Sequence, residues 1–296
     1  MKRLKEFDYH EPATLEEAVA ILAAAPDDAQ VLAGGTDLIV DMKIERLQPS
    51  TVVNLKSIPR LKGVDLVEGG IQIGALTNVT DVEASVVVWN RHPALGTASS
   101  VLASPPVRAL ATIGGNVGRA SPASDLGPAL IVSGAVARII GIGGTREELV
   151  EDLYSGPGAT TLDPSDIITS FFLPDPPAGF GSAHVKIGKR GSGTDIALAG
   201  VSASLVLAED GTVAECKIAL ASLAPIPLRA RSAEAVLIGR VPTEDVLAEV
   251  AAAAAEEATP IGDMRASAEY RTTLARVLTH RALRAAVNVS GREVAA

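Results

Sequence analysis

The chain has 296 residues, of which 26 are Lys or Arg and 35 are Asp or Glu, for a formal net charge of −9. Hydrophobic residues make up 47% but aromatics only 3%, so the core must be aliphatic and Ala-rich, in a length that suits about two domains. An acidic chain without a basic block excludes nucleic acid and anionic lipid as broad-surface partners, since both need a positive field; a phosphate held by a few backbone N–H groups remains compatible.

Cys216 is the single cysteine, so the chain cannot by itself build a disulfide, a Cys-type zinc site or an iron–sulfur cluster. His10, His92, His184 and His280 lie far apart without HExxH spacing, and no metal site is expected. The first residues run straight into polar, turn-rich sequence, and no apolar run approaches the ~20 residues that span a bilayer. A soluble, cytoplasmic protein without membrane insertion is expected.

Thr14 and Glu17 form a capping box before TLEEAVAILAAA, with Leu15, Ala18, Val19 and Leu22 as its buried stripe. AQVLAG reads as a strand broken at Gly34-Gly35, TDLIVDMKI as a short helix or turn, and TVVNL as a second strand, so that 1–55 forms a small lobe. GVDLVEGGIQIGAL is a hairpin turning at Glu68-Gly69-Gly70. VTDVEASVVVWNRHPAL reads as a helical segment starting near Thr80 or Asp81, with His92 at a helix end or turn. AVARIIGI and IITSFFL are strands, and Trp89, Phe171 and Phe172 are assigned to the core. Pro174, Pro176, Pro177 and Gly179 mark a boundary between 1–177 and 178–296. HVKIGKR, TDIALAGVSASLVL and TVAECKIAL then read as strands, the last holding a buried Cys216, and three helices close the chain.

Two glycine pairs carry the candidate chemistry, in VLAGGTDL (31–38) and ATIGGNVGRASPASDL (111–126). Glycine admits positive φ and close ligand approach, and successive N–H groups can bind phosphate oxygens. Thr36, Thr112, Asn116 and Ser121 can add side-chain hydrogen bonds, and Asp125 can accept from ligand hydroxyls such as those of a ribityl chain. Glycine pairs also make plain turns, as at 69–70 and 143–144, so ligand contact and structural turn both stay open. Neither GxGxxG nor GxxxxGK[ST] occurs. Lys186, Lys189 and Arg190 beside Asp195 are either a solvated surface group or the wall of an interdomain cleft.

VLAGGTDL and ATIGGNVGRASPASD, together with GALTNV (74–79), LASPPVRALAT (102–112), HVKIGKRGSGTDIA (184–197) and AEYRTTLARVLTHRAL (268–283), resemble in order the FAD-binding medium subunit of the molybdenum hydroxylases. This is the xanthine dehydrogenase and carbon monoxide dehydrogenase group, and the resemblance spans nearly the whole chain. It implies an α+β fold, with a two-lobed FAD-binding domain (lobes 1–55 and 56–177). A C-terminal flavoprotein domain (178–296), an antiparallel sheet with a three-helix bundle, would follow. It also implies an electron-transfer subunit that takes electrons from a small partner with two [2Fe–2S] clusters and passes them to an external acceptor. A large partner would hold the molybdenum–molybdopterin cofactor, and two heterotrimers would pair. The complex would hydroxylate an organic substrate such as an N-heterocyclic aromatic.

Carried over residue by residue, the first family loop falls on Leu32, Ala33, Gly34, Gly35, Thr36 and Asp37, with the N–H groups of 33–36 on the FAD pyrophosphate. The second falls on Thr112, Ile113, Gly114, Gly115 and Asn116, and the family's acid on Asp125, facing the ribityl hydroxyls. Thr77, Leu102 and Ile168 match positions close to the flavin, and Lys186 matches the family lysine. His184 stands where the family often has Tyr, and is expected near the isoalloxazine ring, affecting potential or acceptor access. No residue is assigned acid–base catalysis, because the cofactor supplies the redox chemistry. Two other functions compete: a free-standing NAD(P)H-linked flavoprotein oxidoreductase, and an assembly or scaffold subunit that has lost FAD. The first lacks a nicotinamide-type glycine fingerprint, and the second leaves both loops and Asp125 unexplained.

Overall fold

The computed structural model describes residues 3–190, 195–291 and 294; residues 191–194 of the HVKIGKRGSGTDIA motif lie outside them. The chain opens with β1 (Asp8–His10), α1 (Leu15–Ala24), β2 (Ala29–Leu32), α2 (Leu38–Lys43) and β3 (Thr51–Asn54). The three strands pair in parallel in the order β1-β3-β2. Thr14 Oγ1 accepts from the Glu17 N–H, and the Glu17 carboxylate accepts from the Ala13 N–H, so the helix start is capped from both sides. Ala18, Val19 and Leu22 are buried, as the periodicity requires. Strand β1 has no apolar run to announce it and forms by pairing with β3.

The next segment begins with the hairpin β4 (Val64–Val67) and β5 (Gly70–Gly74). Six short helices follow: α3 (Val79–Ala84), α4 (Val86–Arg91), α5 (Pro93–Val101), α6 (Pro105–Arg108), α7 (Ile113–Arg119) and α8 (Leu126–Val132). Strands β6 (Val136–Gly141), β7 (Gly144–Leu149), β8 (Tyr154–Gly156), β9 (Ala159–Thr160) and β10 (Ile167–Pro174) complete it. The main sheet runs β4-β5-β10-β6-β7, and Leu95, Ile113, Leu126 and Leu130 pack with its Ile71, Ile73, Ile139, Phe171 and Leu173.

Two sequence expectations are corrected here. The segment after Asn78 is three helices rather than one, because Ser85 caps α4 by accepting from Val88 and Pro93, which has no N–H, must start α5. Trp89 is not core: it is 39% exposed, donates its indole N–H to the Glu83 carbonyl, and lies against Gly96. Phe171 is fully buried while Phe172 is only partly so, the alternation of a strand with one covered face.

A four-stranded antiparallel sheet follows, built from β11 (Phe180–Gly188), β12 (Ala197–Leu207), β13 (Val213–Ala221) and β14 (Leu228–Arg229). Helices α9 (Arg231–Leu237), α10 (Glu244–Glu257) and α11 (Ala268–Val289) cover one face through an aliphatic core. Gly181 admits α11 closely: a Cβ there would lie 2.0 Å from the Ala286 carbonyl oxygen. The other face meets α5 and α8, where Ser182 Oγ accepts from the Ala94 N–H and Ser204 Oγ donates to the Val132 carbonyl. Among the described residues no helix is long and apolar enough to cross a membrane.

His92 sits at this seam, buried between α4 and α5 with its ring edge-on to Phe180 at 6.3 Å. It borders a cavity of about 100 Å³ that Pro174, Phe180, Ser204 and Lys217 also line. Burial, then the charge of Arg91, push its pKa from 6.5 down to about 4, with the Pro174 backbone acting the other way. The folded state therefore resists a proton that the unfolded chain accepts. Stability from this residue is complete above pH 6.5 and falls by about 3 kcal/mol as pH drops towards 4. The unfolding free energy of the parent should fall by that amount relative to His92→Leu across this interval, and parallel curves would show that His92 does not titrate with folding.

Candidate functional site

Loop 33–37 leaves the end of β2 and enters α2. Gly35 has φ +75°, a left-handed conformation that a side chain would strain, and a Cβ on Gly34 would lie 2.2 Å from the Leu110 carbonyl oxygen. The loop is thus pressed against the segment leading into the second glycine motif. Among the described residues, none accepts from the N–H groups of Gly34, Gly35, Thr36 or Asp37. Four consecutive unspent donors in a curved, partly exposed loop form a concave anion site.

The second motif works differently. Thr112 caps α7 by accepting from the Gly115 N–H at 3.0 Å. The Ile113, Gly114 and Asn116 N–H groups donate to the carbonyls of Thr77, Ala75 and Thr112. All four donors of 113–116 are therefore consumed by the fold. Gly114 lets the helix start sit on Ala75, and Gly115 faces Ala33 across the gap between loops, its Cβ position 3.6 Å from that of Ala33. Arg119, at the far end of α7, reaches back to Asp41 of α2 at 2.9 Å and to Asp37 at 3.8 Å, tying the two loops' helices together.

Asp125 stands at the start of α8, but Ser124 does the capping: its Oγ accepts from Gly127 and donates to Asn116 Oδ1. The Asp125 carboxylate, 4% exposed, is left for the site. Its Oδ2 receives Lys186 Nζ at 2.7 Å, and Lys186 also donates to the Val101 carbonyl at 3.0 Å, next to Leu102. Its Oδ1 is buried without a hydrogen-bond partner, 3.7 Å from the equally unpartnered Nε2 of His184. His184 Nδ1 lies 2.8 Å from Ser202 Oγ. Residues 32–37, 112–116, Leu102, Asp125, His184 and Lys186 thus converge from the β2–α2 loop, the end of α5, the starts of α7 and α8, and β11.

Thr77 and Ile168 stand behind this assembly. The Thr77 hydroxyl exchanges hydrogen bonds with Gly63, and its carbonyl takes the Ile113 N–H. Ile168 is core, at a bulge in the β10–β6 ladder. The charged group after β11 divides: Lys186 is buried in the site, while Lys189 reaches the Met264 carbonyl and Arg190 pairs at the surface with Asp195. The Arg190 hydrogen bond holds the Asp195 carboxyl below its ordinary range. Arg119, Ser124 and Ser202 were not singled out for these roles. Polar alternation at Ser182, His184 and Lys186, with Ser202 and Ser204 across the ladder, is the signal that points to the last of them.

The arrangement fits a dinucleotide. Free N–H groups on a glycine turn suit a diphosphate, and an orphaned carboxylate oxygen suits a polyol hydroxyl donor.

Comparison with known proteins agrees with this geometry. Residues 5–176 match the family described as the FAD binding domain in molybdopterin dehydrogenase, and residues 183–286 match the CO dehydrogenase flavoprotein C-terminal domain. The chain is 34% identical over 277 residues to the carbon monoxide dehydrogenase medium chain of Afipia carboxidovorans, covering 94% of this chain and 95% of that one. It is 30% identical to the xanthine dehydrogenase FAD-binding subunit of Escherichia coli O157:H7, covering 96% and 97%. The solved carbon monoxide dehydrogenase of Hydrogenophaga pseudoflava superposes with a TM-score of 0.92 at 33% identity, covering 96% of this chain and 98% of that chain. The chain therefore belongs to the flavoprotein family of the molybdenum hydroxylases, as the FAD-binding electron-transfer subunit of a multi-subunit oxidoreductase.

Proposed function

We propose that FAD lies noncovalently across the two loops, its diphosphate on the N–H groups of Gly34, Gly35 and Thr36 and its ribityl chain beside Asp125. The isoalloxazine ring would then border Leu102 and Lys186, with His184, whose side chain is fully buried, behind Asp125 rather than on the ring face. The observation that carries this reading is the run of four unspent backbone donors on a glycine turn pressed against the segment that leads into the second motif. FAD held there would supply the redox chemistry, one-electron exchange with an iron–sulfur donor and transfer to an external acceptor. The chain's own residues bind and orient. Gly34 and Gly35 hold the loop open, Lys186 neutralises Asp125 and fixes its plane, and Leu102 with the core behind it excludes water. No side chain needs to move a proton.

Cys216 is buried in the C-terminal sheet, and burial pushes its thiol up. The clusters therefore belong to a separate small subunit with two [2Fe–2S] centres, and the molybdenum–molybdopterin cofactor to a large one. Two such heterotrimers pair in a cytoplasmic complex. The division of this chain at 177 separates the part that carries both loops from the part that delivers His184 and Lys186. The substrate, met by the large subunit, is an organic ring, a reading supported by relatives named for nicotinate and nicotine and by the quinoline 2-oxidoreductase structure. The carbon monoxide dehydrogenase chains define the competing substrate.

Mild denaturation should release a flavin with the mass of FAD; FMN, or flavin that stays on the polypeptide, would contradict the assignment.

Asp125→Ala alone leaves the Lys186 charge buried and unpaired, which costs about 3–5 kcal/mol, so the clean variant is Asp125→Ala combined with Lys186→Met. That double variant should fold and bind FAD about ten- to a hundredfold more weakly, the equivalent of a hydrogen bond to a charged acceptor of roughly 1.5–3 kcal/mol. Unchanged FAD titration would remove Asp125 from the site.

Affinity purification of the tagged chain from its native host should bring down a large and a small partner, and mass measurement should give two copies of each. Complete substrate turnover by this chain alone would refute the subunit reading.

A further inference from the structure

β11 is a strand with two chemically distinct faces. Ala183, Val185 and Ile187 pack into the core beneath α9, α10 and α11, whereas Ser182, His184 and Lys186 point towards α5 and α8. On this second face two contacts explain themselves: Ser182 receives the Ala94 N–H, and Lys186 binds Asp125 and the Val101 carbonyl. His184 does not. Its side chain is 0% exposed, Ser202 sits directly opposite it in the β11–β12 ladder, and its Nε2 looks across 3.7 Å at Asp125 Oδ1. Both of those atoms are buried, and neither has a hydrogen bond.

The placement of a single proton resolves this. With hydrogen on Nδ1, the ring would donate to Ser202 and turn a bare nitrogen lone pair towards a carboxylate oxygen, two acceptors facing each other in a dry pocket. With hydrogen on Nε2, Ser202 donates its hydroxyl to Nδ1 and the Nε2–H group points at Asp125 Oδ1. The observed 3.7 Å exceeds an ordinary N–H···O distance by about 0.7 Å, so the two side chains must approach by that amount for the bond to form.

We infer that Ser202 and His184 are positioning residues for the cofactor site, a buried relay in which the Ser202 hydroxyl selects the Nε2–H tautomer of His184 and that tautomer orients the Asp125 carboxylate. The inference rests on the FAD reading above. Asp125 then has one donor on each oxygen from the same strand, Lys186 on Oδ2 and His184 on Oδ1. Its plane is fixed. His184 acts from behind Asp125.

The test reads the tautomer and the cofactor separately in the full-length chain. Nitrogen-15 NMR of selectively labelled histidine in the apoprotein should show His184 as the neutral Nε2–H form. Ser202→Ala should erase that preference and speed FAD release three- to tenfold, and Ser202→Thr should restore both. His184→Leu, which removes both contacts, should release FAD at least tenfold faster, while His184→Gln, able to accept from Ser202 and donate to Asp125, should stay near the parent rate. A parent ring that carries its proton on Nδ1 or on both nitrogens overturns the inference. So does a Ser202→Ala protein whose tautomer and FAD release match the parent. A parent that binds no FAD defeats the proposed function itself, whereas a parent that binds FAD and ignores these substitutions defeats only the relay.

Discussion

The ion pair between Asp125 and Lys186 joins the start of α8 to β11 across the seam between the FAD-binding segment and the C-terminal sheet. Taking both charges out of water costs several kcal/mol for each, and their attraction offsets this only when geometry and further hydrogen bonds are good. Here the ammonium gains a second acceptor at Val101, and the carboxylate keeps one oxygen unspent. The pair is therefore better suited to specifying how two packed units meet than to adding net stability. It demands that α5, α8 and β11 arrive together, and it leaves at their meeting point an acceptor that a hydroxylated ligand can use.

Around that fixed point, two glycine motifs that read alike divide the work. In the first, Gly34 and Gly35 keep side chains away from a turn whose N–H groups remain free. In the second, every N–H from Ile113 to Asn116 is spent on holding α7 against Ala75, Thr77 and Thr112. One loop presents donors, and the other supplies the rigid wall that the first leans on. Arg119 secures the arrangement from behind by reaching Asp41 and Asp37. Glycine is required at both places for different reasons: positive φ and a close carbonyl in the first, close helix packing in the second.

The C-terminal sheet shows how the low aromatic content is accommodated. Its bundle-facing side is filled by small and branched aliphatics such as Ala203, Leu205, Ile218, Leu278 and Ala282, which let strands and helices approach closely. The opposite side is buried against α5 and α8, and buried polar residues need partners. Ser182, Ser204 and Lys186 find them, whereas His184 and Asp125 face each other across an incomplete contact and both ring nitrogens of His92 are unpartnered. Polar groups in that position are tools for a ligand site, because an apolar residue would satisfy packing at lower cost.

Much of this was legible in the sequence, for local physical reasons. The capping box at Thr14, the hairpin at Glu68-Gly69-Gly70 and the closing helices depend on neighbours a few residues away, and the ordered motifs carried the family. What stayed hidden depends on contacts between distant segments. Strand β1 exists because β3 lies beside it, Trp89 stays at the surface with its indole N–H on the Glu83 carbonyl, and Lys186 is buried because α8 delivers a carboxylate to it. The two glycine pairs cannot be told apart by composition, since whether an N–H is free or spent is decided by carbonyls dozens of residues away. The amino-acid sequence by itself determined the elements, their order and the chemistry available to them. The tertiary structure alone decided which donors and acceptors were left over, because a hydrogen-bonding group becomes a site only when packing has removed every other partner.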